Sequence, residues 1–109
     1  MTLNSPWYEY VKSGEKTLEG RRYTDAVARI EPGDTLIFCH HTDKTLESIS
    51  KTVVEVFRFK TFEEGLFEPG ILKQALPNVN EIEVGVQIYL KYVSLPTQNR
   101  DGVAFIQLK

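Results

Sequence analysis

The spacing of apolar residues near the start of the chain predicts a short helix. Trp7, Tyr10 and Val11 fall at the i, i+3 and i+4 positions of one helical face. A serine and a proline precede this stripe and suit a helix start, while Gly14 suits the left-handed residue that ends a helix. We therefore predict a helix within residues 5–14 that packs its aromatic face against the rest of the protein.

Runs rich in β-branched and aromatic residues predict the strands. Residues 16–23 form a weak run, residues 35–40 ("TLIFCH") predict a buried strand, and residues 103–108 ("VAFIQL") predict the closing strand. The longest run, "SISKTVVEVFRFK" at residues 48–60, has apolar side chains of both parities in its middle. Such a strand is either covered on both faces or interrupted by a β-bulge. A Pro–Gly pair within residues 31–34 predicts a type II turn before the second strand.

Helical signals fill most of the chain between the third and the last strand. Thr61 and Glu64 have the spacing of a capping box, and Asn80 and Glu83 repeat it. A short helical turn, "PGILKQAL", lies between the two boxes, and "NRDG" at residues 99–102 predicts a turn before the final strand. The last helical segment has one apolar stripe, which consists of Ile82, Val86, Tyr89 and Val93.

The order of these elements predicts an α+β fold, because the strands cluster early and one returns at the end after the helices. We expect a small β-barrel or curved sheet with short helices packed on it. A last strand that pairs beside an early one would close this barrel and protect its edges. The 109 residues contain no internal repeat or linker, which indicates one domain over residues 1–109.

Composition narrows the class of protein. With 41% hydrophobic and 26% charged residues, the chain is expected to be a soluble globular protein. It has no apolar run near the ~20 residues that cross a membrane, and its start lacks the pattern of a secretory signal. The single Cys39 excludes an internal disulfide and favours a reducing compartment. We therefore expect a cytoplasmic location, or a nuclear one if the source is a eukaryote.

Charge restricts the partners. The formal net charge of −2 disfavours a protein that coats duplex DNA by neutralising many phosphates. A local positive pocket for a short single strand, a nucleotide or a nucleoside is compatible with this charge. Residues 61–85 carry five acidic residues and one lysine. We expect that acidic helical face to repel nucleic acid or to contact a protein partner.

The sequence "GEKTLEGRR" at residues 14–22 carries the candidate chemistry. In a strand, Glu19 and Arg21 share one face, and Gly20 between them is a poor strand residue unless another group approaches closely. One interpretation is a surface ion pair worth about 0–1 kcal/mol. The other is a pocket in which Lys16 and Arg21 bind an anionic or hydrogen-bonding ligand while Glu19 orients one of them.

A family resemblance follows from the same residues. Gly14, Lys16, Glu19 and Arg21 occupy the fixed positions of G-x-K-x-x-E-x-R, which resembles the motif of the ASCH (activating signal cointegrator homology) domain family. The resemblance also includes "PWYEYVKSG", the "PGD" turn, "LPNVNEIEVGVQIYLKYVS" and "GVAFIQL", and so covers nearly the whole chain. It implies a PUA-like fold, that is, a small β-barrel with flanking short helices and a cleft beside the motif.

The resemblance implies a ligand class and leaves the activity open. RNA, a nucleotide or a nucleoside is the implied ligand. Some family members look like coregulator or RNA-associated modules, and others are enzymes, namely small amidohydrolases that deacetylate N4-acetylcytidine, and ribonucleases. In the amidohydrolase branch a threonine stands at the position of Glu19, so this chain departs from that pattern. No cofactor is expected.

The chemistry of Lys16 bears on the choice between a binding protein and an enzyme. A lysine has a reference pKa of about 10.4 and acts as a general base near neutral pH only if burial lowers that value by several units. The carboxylate of Glu19 works in the opposite direction. We therefore expect a charged Lys16 that binds an anion. If the site is catalytic, Glu19 accepts a proton and Lys16 stabilises developing negative charge.

Further candidates flank the motif. Tyr10 is expected either to stack on a base or to join the core, and Trp7 is expected mainly in the core. Arg22 adds positive charge beside the motif, and Ser94 either contacts the ligand or caps a helix. Residues 39–41 ("CHH") suggest a metal, but the chain lacks the further Cys or His that a closed zinc site needs. We therefore expect no metal site.

Overall fold

Six helices and four strands make up the chain, which a computed structural model describes from residue 1 to residue 109. Their bounds in chain order are α1 Trp7–Ser13, β1 Leu18–Arg22, α2 Asp25–Ala28, β2 Thr35–His41, β3 Leu46–Phe59, α3 Phe62–Phe67, α4 Ile71–Ala75, α5 Ile82–Leu90, α6 Leu95–Asp101 and β4 Val103–Leu108. The longest helix, α5, has nine residues, and none of the six reaches the length of a membrane span.

The four strands form one antiparallel sheet in the order β1-β4-β3-β2, curled into a half-barrel. All four predicted strands are confirmed, and the last strand pairs beside the first. It does so at the centre of the sheet, because β4 lies between β1 and β3 and leaves β1 and β2 as the edges. The predicted α+β class with a PUA-like half-barrel is therefore confirmed.

Strand β3 is shared between two neighbours. Its residues 46–52 pair with β2, and its residues 53–59 pair with β4. The register shifts between Val53 and Glu55, at the point where one partner replaces the other. Of the two predicted alternatives for this strand, the β-bulge is confirmed. The bulge bends β3 so that one strand continues around the half-barrel.

Strand β4 separates two hydrophobic cores. Val103 and Phe105 pack against the helices α3, α4 and α5, whereas Ile106 and Leu108 pack on the other face against α1 and β2. A strand that is covered on both faces needs apolar side chains of both parities. The sequence "VAFIQL" supplies them, so its nearly unbroken apolar run predicts a strand.

Helix α1 has the predicted position but a different buried face. Tyr8 and Val11 are buried, whereas Trp7 and Tyr10 are only half-buried. Tyr8 stacks on the ring of His40 in β2, with ring centroids 5.0 Å apart. Of the predicted face Trp7, Tyr10 and Val11, Val11 is fully buried and Trp7 packs at the margin of one core. The prediction missed Tyr8, which is buried because the sheet lies on its side of α1.

The ends of the later helices follow the predicted caps only in part. The Thr61 hydroxyl accepts a hydrogen bond from the Glu64 amide at 3.0 Å, which confirms Thr61 as the N-cap of α3. The reciprocal bond from the Thr61 amide to the Glu64 carboxylate, which completes a capping box, is not formed. The second predicted box is wrong, since α5 begins at Ile82 without a side-chain cap. The predicted turn at residues 99–102 is also wrong as an isolated feature. It is the end of helix α6, whose start is capped by the hydroxyl of Ser94.

The N-terminal segment (residues 1–5) covers the free edge of β2. Thr2 forms a parallel bridge with Cys39, flanked by two backbone hydrogen bonds of 2.9 and 2.7 Å. On its other side, the Thr2 carbonyl accepts a hydrogen bond from the Arg21 side chain of β1 at 3.1 Å. The segment therefore bridges the gap between the two edge strands of the half-barrel.

Candidate functional site

A cavity of about 600 Å³ opens beside the free edge of β1. The N-terminal segment and Trp7 of α1 line one part of it, and Tyr89 of α5 and Tyr92 in the turn after α5 line another. The residues Lys16, Glu19, Gly20 and Arg21 of the motif lie along its wall. Its volume is in the range of pockets that hold small-molecule ligands. We refer to it as the β1 cleft.

Glu19 lies between two cations at the wall of the β1 cleft. Its Oε1 atom is 3.5 Å from Nζ of Lys16, and its Oε2 atom accepts a hydrogen bond from Arg21 at 3.1 Å. Lys16 is 3% exposed and Glu19 is 4% exposed, so these two form an ion pair inside the protein and not on its surface. The Arg21 side chain is 30% exposed and is the accessible member of the triad.

Lys16 uses all of its hydrogen-bonding capacity inside the protein. Its Nζ donates to the carbonyl of Leu18 at 2.7 Å and to the carbonyl of Ala75 at the end of α4. With Glu19 these make three acceptors, which match the three donors of an ammonium group. Nζ also lies 5.9 Å from the centre of the Trp7 ring. Lys16 therefore ties β1 to α4 and holds Glu19, and has no donor left for a ligand.

Two opposing influences act on the protonation of Lys16. Burial lowers the pKa of Lys16 below its ordinary value, and the Glu19 carboxylate beside it raises the pKa again. The net direction is downward, so burial prevails. The sequence could identify the partner of Lys16 but not the depth at which the pair lies.

Arg21 presents free hydrogen-bond donors to the cleft. Its NH2 nitrogen donates both to Glu19 and to the Thr2 carbonyl, each at 3.1 Å. The Nε and NH1 donors have no acceptor within the protein. A guanidinium group has five N–H donors, and those left free here, one on Nε and two on NH1, can donate to phosphate or carbonyl oxygens of a ligand. Arg21 is therefore held by two contacts and keeps three donors for a ligand.

Tyr89 is a polar group at the cleft that the sequence analysis assigned only to the apolar stripe of α5. Tyr89 is 7% exposed, and its hydroxyl is buried without a hydrogen-bond partner. Burial raises the pKa of Tyr89 well above its ordinary value, the Glu19 carboxylate adds to this, and the backbone of Gly20 opposes it. The hydroxyl is therefore protonated and acts as a donor. The only indication of this role in the sequence is that a tyrosine, and not a phenylalanine, stands in the apolar stripe of α5.

Gly20 explains how Tyr89 reaches the strand. A Cβ atom at this position would lie 2.7 Å from the Tyr89 hydroxyl oxygen and 2.8 Å from the nearest ring carbons. The expectation that another group approaches Gly20 closely is confirmed, and that group is the Tyr89 side chain. The missing side chain lets the hydroxyl lie against β1 at Gly20, the residue between Glu19 and Arg21 in the sequence.

The other predicted site residues are distributed around the cleft. Trp7 and Arg22 line it, and Arg22 also pairs with Asp101 of α6 at 3.2 Å. Tyr10 does not line it, and its hydroxyl accepts a hydrogen bond from Asn78 at 2.9 Å. Ser94 also lies outside the lining and caps α6.

His40 of β2 contacts the N-terminal segment. His40 contacts the Leu3 carbonyl through Nδ1 at 2.9 Å and stacks on Tyr8. No group of three or more His, Cys, Asp or Glu side chains is arranged to hold a metal ion. Cys39 and His40 therefore contact the N-terminal segment and α1, whereas His41 is exposed.

The buried ion triad predicts a large stability effect at Glu19. The Glu19→Gln variant should lower the free energy of unfolding by about 3 kcal/mol, because it leaves the buried Lys16 ammonium without its charged partner. The exposed Glu63→Gln variant is the matched control and should change it by less than about 0.5 kcal/mol. Urea unfolding followed by circular dichroism measures both. Equal losses in the two variants would contradict the arrangement described above.

Two solved structures share this fold over the full length of the chain. The crystal structure of the hypothetical protein PH0355 has a TM-score of 0.84 at 29% identity, and the alignment covers 100% of this chain and 94% of that one. The solution NMR structure of protein PF0455 from Pyrococcus furiosus has a TM-score of 0.73 at 28% identity, with 100% and 93% covered.

The comparison at the level of sequence families agrees with the fold. No curated protein is significantly similar to the chain. A sequence model of the ASCH domain, however, matches residues 1–106, which include the motif, the cleft and nearly all of β4. The chain therefore belongs to the ASCH domain family.

Proposed function

We propose that this protein binds a nucleoside- or nucleotide-type ligand, free or within single-stranded RNA, in the β1 cleft. The observation that carries the proposal is Arg21, whose guanidinium is fixed by Glu19 and Thr2 while three of its donors face no acceptor of the protein. Membership of the ASCH family, which is typically connected with RNA, supports the same ligand class.

The dimensions and lining of the cleft favour a ligand of this kind. A volume of about 600 Å³ accommodates one nucleotide unit but not a duplex. Trp7 and the 62% exposed Tyr92 line the cleft and offer aromatic surface on which a base can stack. The net charge of −2 is consistent with local recognition by one arginine, because no broad basic surface is then required.

The three charged residues have different roles in this proposal. Arg21 contacts the ligand through its free donors. Glu19 fixes Arg21, and the lone pairs it has left can accept from a ligand N–H group. Lys16 acts as a positioning residue, since its donors are satisfied by Leu18, Ala75 and Glu19.

Arg21 is therefore the residue whose loss should weaken binding most directly. The Arg21→Ala variant should bind cytidine 5′-monophosphate and a short single-stranded RNA at least about tenfold more weakly, because it removes charge-assisted hydrogen bonds. The Arg21→Lys variant should recover part of this loss, since it keeps the charge without the planar fork. Isothermal titration calorimetry gives the affinities.

The exposed Arg29→Ala variant is the control for the loss of one positive charge outside the cleft. It should bind both probes as tightly as the wild-type protein. Circular dichroism spectra should be unchanged in all three variants. Wild-type affinity in a folded Arg21→Ala variant would disprove the assignment of the site.

A second candidate function is hydrolysis of an N4-acetylcytidine-type nucleoside in the same cleft. The observation that favours it is the lowered pKa of the buried Lys16 beside a cleft-lining carboxylate, since perturbed pairs of this kind occur at catalytic sites. Water would attack the acetyl carbonyl, and Glu19 would accept a proton of that water. Glu19 would then pass this proton to N4 as the amide C–N bond breaks, which releases cytidine and acetic acid, the latter ionising to acetate. Arg21, with free donors, would stabilise the oxyanion.

Incubation with N4-acetylcytidine followed by chromatography tests this reaction. An enzyme should release cytidine in proportion to protein concentration, and Glu19→Gln should abolish the release because no carboxylate is left to accept the proton. Glu63→Gln, outside the cleft, should keep the wild-type rate. Absence of cytidine at high protein concentration would exclude this candidate and leave the binding function unaffected.

A third candidate is contact with a protein partner through the acidic helical face of α3 and α5. Phe67 is 76% exposed at the end of α3, and the exposed Glu63 and Glu64 lie on the same helix. An exposed aromatic ring beside carboxylates fits a partner with basic and apolar side chains. A bound partner protein should be lost when Glu63 and Glu64 are both changed to Lys, and kept when the exposed Glu31 and Glu15 are changed instead. Retention by the first variant in a co-purification experiment would contradict this candidate.

A further inference from the structure

We infer that the hydroxyl of Tyr89 is a ligand-recognition group of the β1 cleft, and that it donates a hydrogen bond to a carbonyl oxygen of the bound base. The inference rests on the proposed nucleoside-binding function and adds the chemical group by which the ligand is selected. The first observation behind it is that this hydroxyl is buried and has no hydrogen-bond acceptor within the protein.

The Tyr89 hydroxyl lowers the stability of the protein when no ligand is bound. Its oxygen is buried beside the backbone of Gly20, no protein group accepts a hydrogen bond from it, and Tyr89 lines the β1 cleft. A buried donor without a partner destabilises a protein by about 1–3 kcal/mol, so buried hydroxyls are nearly always paired. A phenylalanine would fill the same space without that cost. A ligand that supplies the missing acceptor accounts for the tyrosine.

The position of the hydroxyl is fixed by its ring. The Tyr89 ring stacks on Phe62 with centroids 4.4 Å apart and an interplanar angle of 3°. It also meets the Phe105 ring edge-on, with centroids 5.8 Å apart and an angle of 89°. The ring therefore cannot turn to find another acceptor, and the hydroxyl is preorganised against β1.

The neighbours of the hydroxyl define what it can bind. It lies over Gly20, whose sequence neighbours are Glu19 and Arg21, and all four residues line the cleft. The wall thus combines two kinds of donor, the Tyr89 hydroxyl and the Arg21 guanidinium, with one acceptor, the Glu19 carboxylate. A ligand edge that offers an acceptor atom next to an N–H group would complement this wall.

A carbonyl oxygen suits the two donors better than a ring nitrogen does. A carbonyl oxygen has two lone pairs and can accept from the hydroxyl and the guanidinium together, whereas a ring nitrogen has one lone pair. Uracil, cytosine and guanine carry a carbonyl oxygen, and adenine does not. Only uracil and guanine also carry a ring N–H beside that carbonyl, since the carbonyl of cytosine lies beside an unprotonated ring nitrogen. We therefore expect the cleft to prefer uridine or guanosine to cytidine and adenosine.

The Tyr89→Phe variant tests the inference because it removes one oxygen atom. Binding of uridine, cytidine, guanosine and adenosine is measured by calorimetry for the wild-type protein and the variant. The variant should bind the preferred carbonyl-bearing nucleoside about tenfold more weakly. It should bind adenosine as the wild-type protein does, so that its preference between the two is lost. Its melting temperature should equal or exceed that of the wild-type protein, because an unpaired buried hydroxyl has been removed.

The Tyr23→Phe variant is the matched control, since Tyr23 lies outside the cleft lining and its ring packs on the Arg58 guanidinium. It should retain both affinity and preference. A marked fall in the melting temperature of Tyr89→Phe would show that the hydroxyl has an internal partner and would overturn the inference.

The binding results distinguish the inference from the function on which it rests. Unchanged affinity in Tyr89→Phe, together with a loss in Arg21→Ala, would overturn the role of Tyr89 and leave the proposed function standing. A wild-type preference for adenosine would overturn the choice of a carbonyl ligand. If the wild-type protein binds none of the four nucleosides, the proposed function and the inference both fail.

Discussion

The ion triad of Lys16, Glu19 and Arg21 is the interaction on which the cleft depends. A carboxylate inside a protein is costly unless cations and hydrogen-bond donors surround it. Here each of its partners is tied to a different part of the fold. Lys16 is bonded to the carbonyl at the end of α4, and Arg21 is bonded to the Thr2 carbonyl of the N-terminal segment. The Glu19 carboxylate thus links β1, the end of α4 and the N-terminal segment around the same cavity.

The sheet explains why this triad can exist at the edge of a small protein. The central strand β4 is buried on both faces and supplies both cores, which leaves β1 free to serve the cleft. On one face of β1, Gly20 admits the Tyr89 ring, and on the other Glu19 pairs with Arg21, which meets the N-terminal segment. If another strand paired with the outer edge of β1, that edge would be covered and could not line the cavity.

The sequence predicted the parts of this architecture that depend on local pattern. The strands, the bulge in β3, the Thr61 cap and the pairing of Glu19 with Arg21 all follow from residue type and spacing. The burial of Tyr8, the start of α6 and the role of Tyr89 do not, because each depends on which distant element packs there. Lys16 illustrates this limit of sequence-based prediction. Its partner Glu19 lies three residues away in the sequence, but the burial of Lys16 depends on Trp7 and on the end of α4.

The position of Trp7 has a practical consequence. It is the only tryptophan of the chain, it lines the cleft, and its ring centre lies 5.9 Å from the Lys16 ammonium. Indole emission responds to nearby charge and to the entry of water, and here no second indole dilutes the signal. The unmodified protein therefore carries an optical reporter at its own cleft. Changes in the hydration or occupancy of this one cavity can be followed by fluorescence without attaching a label.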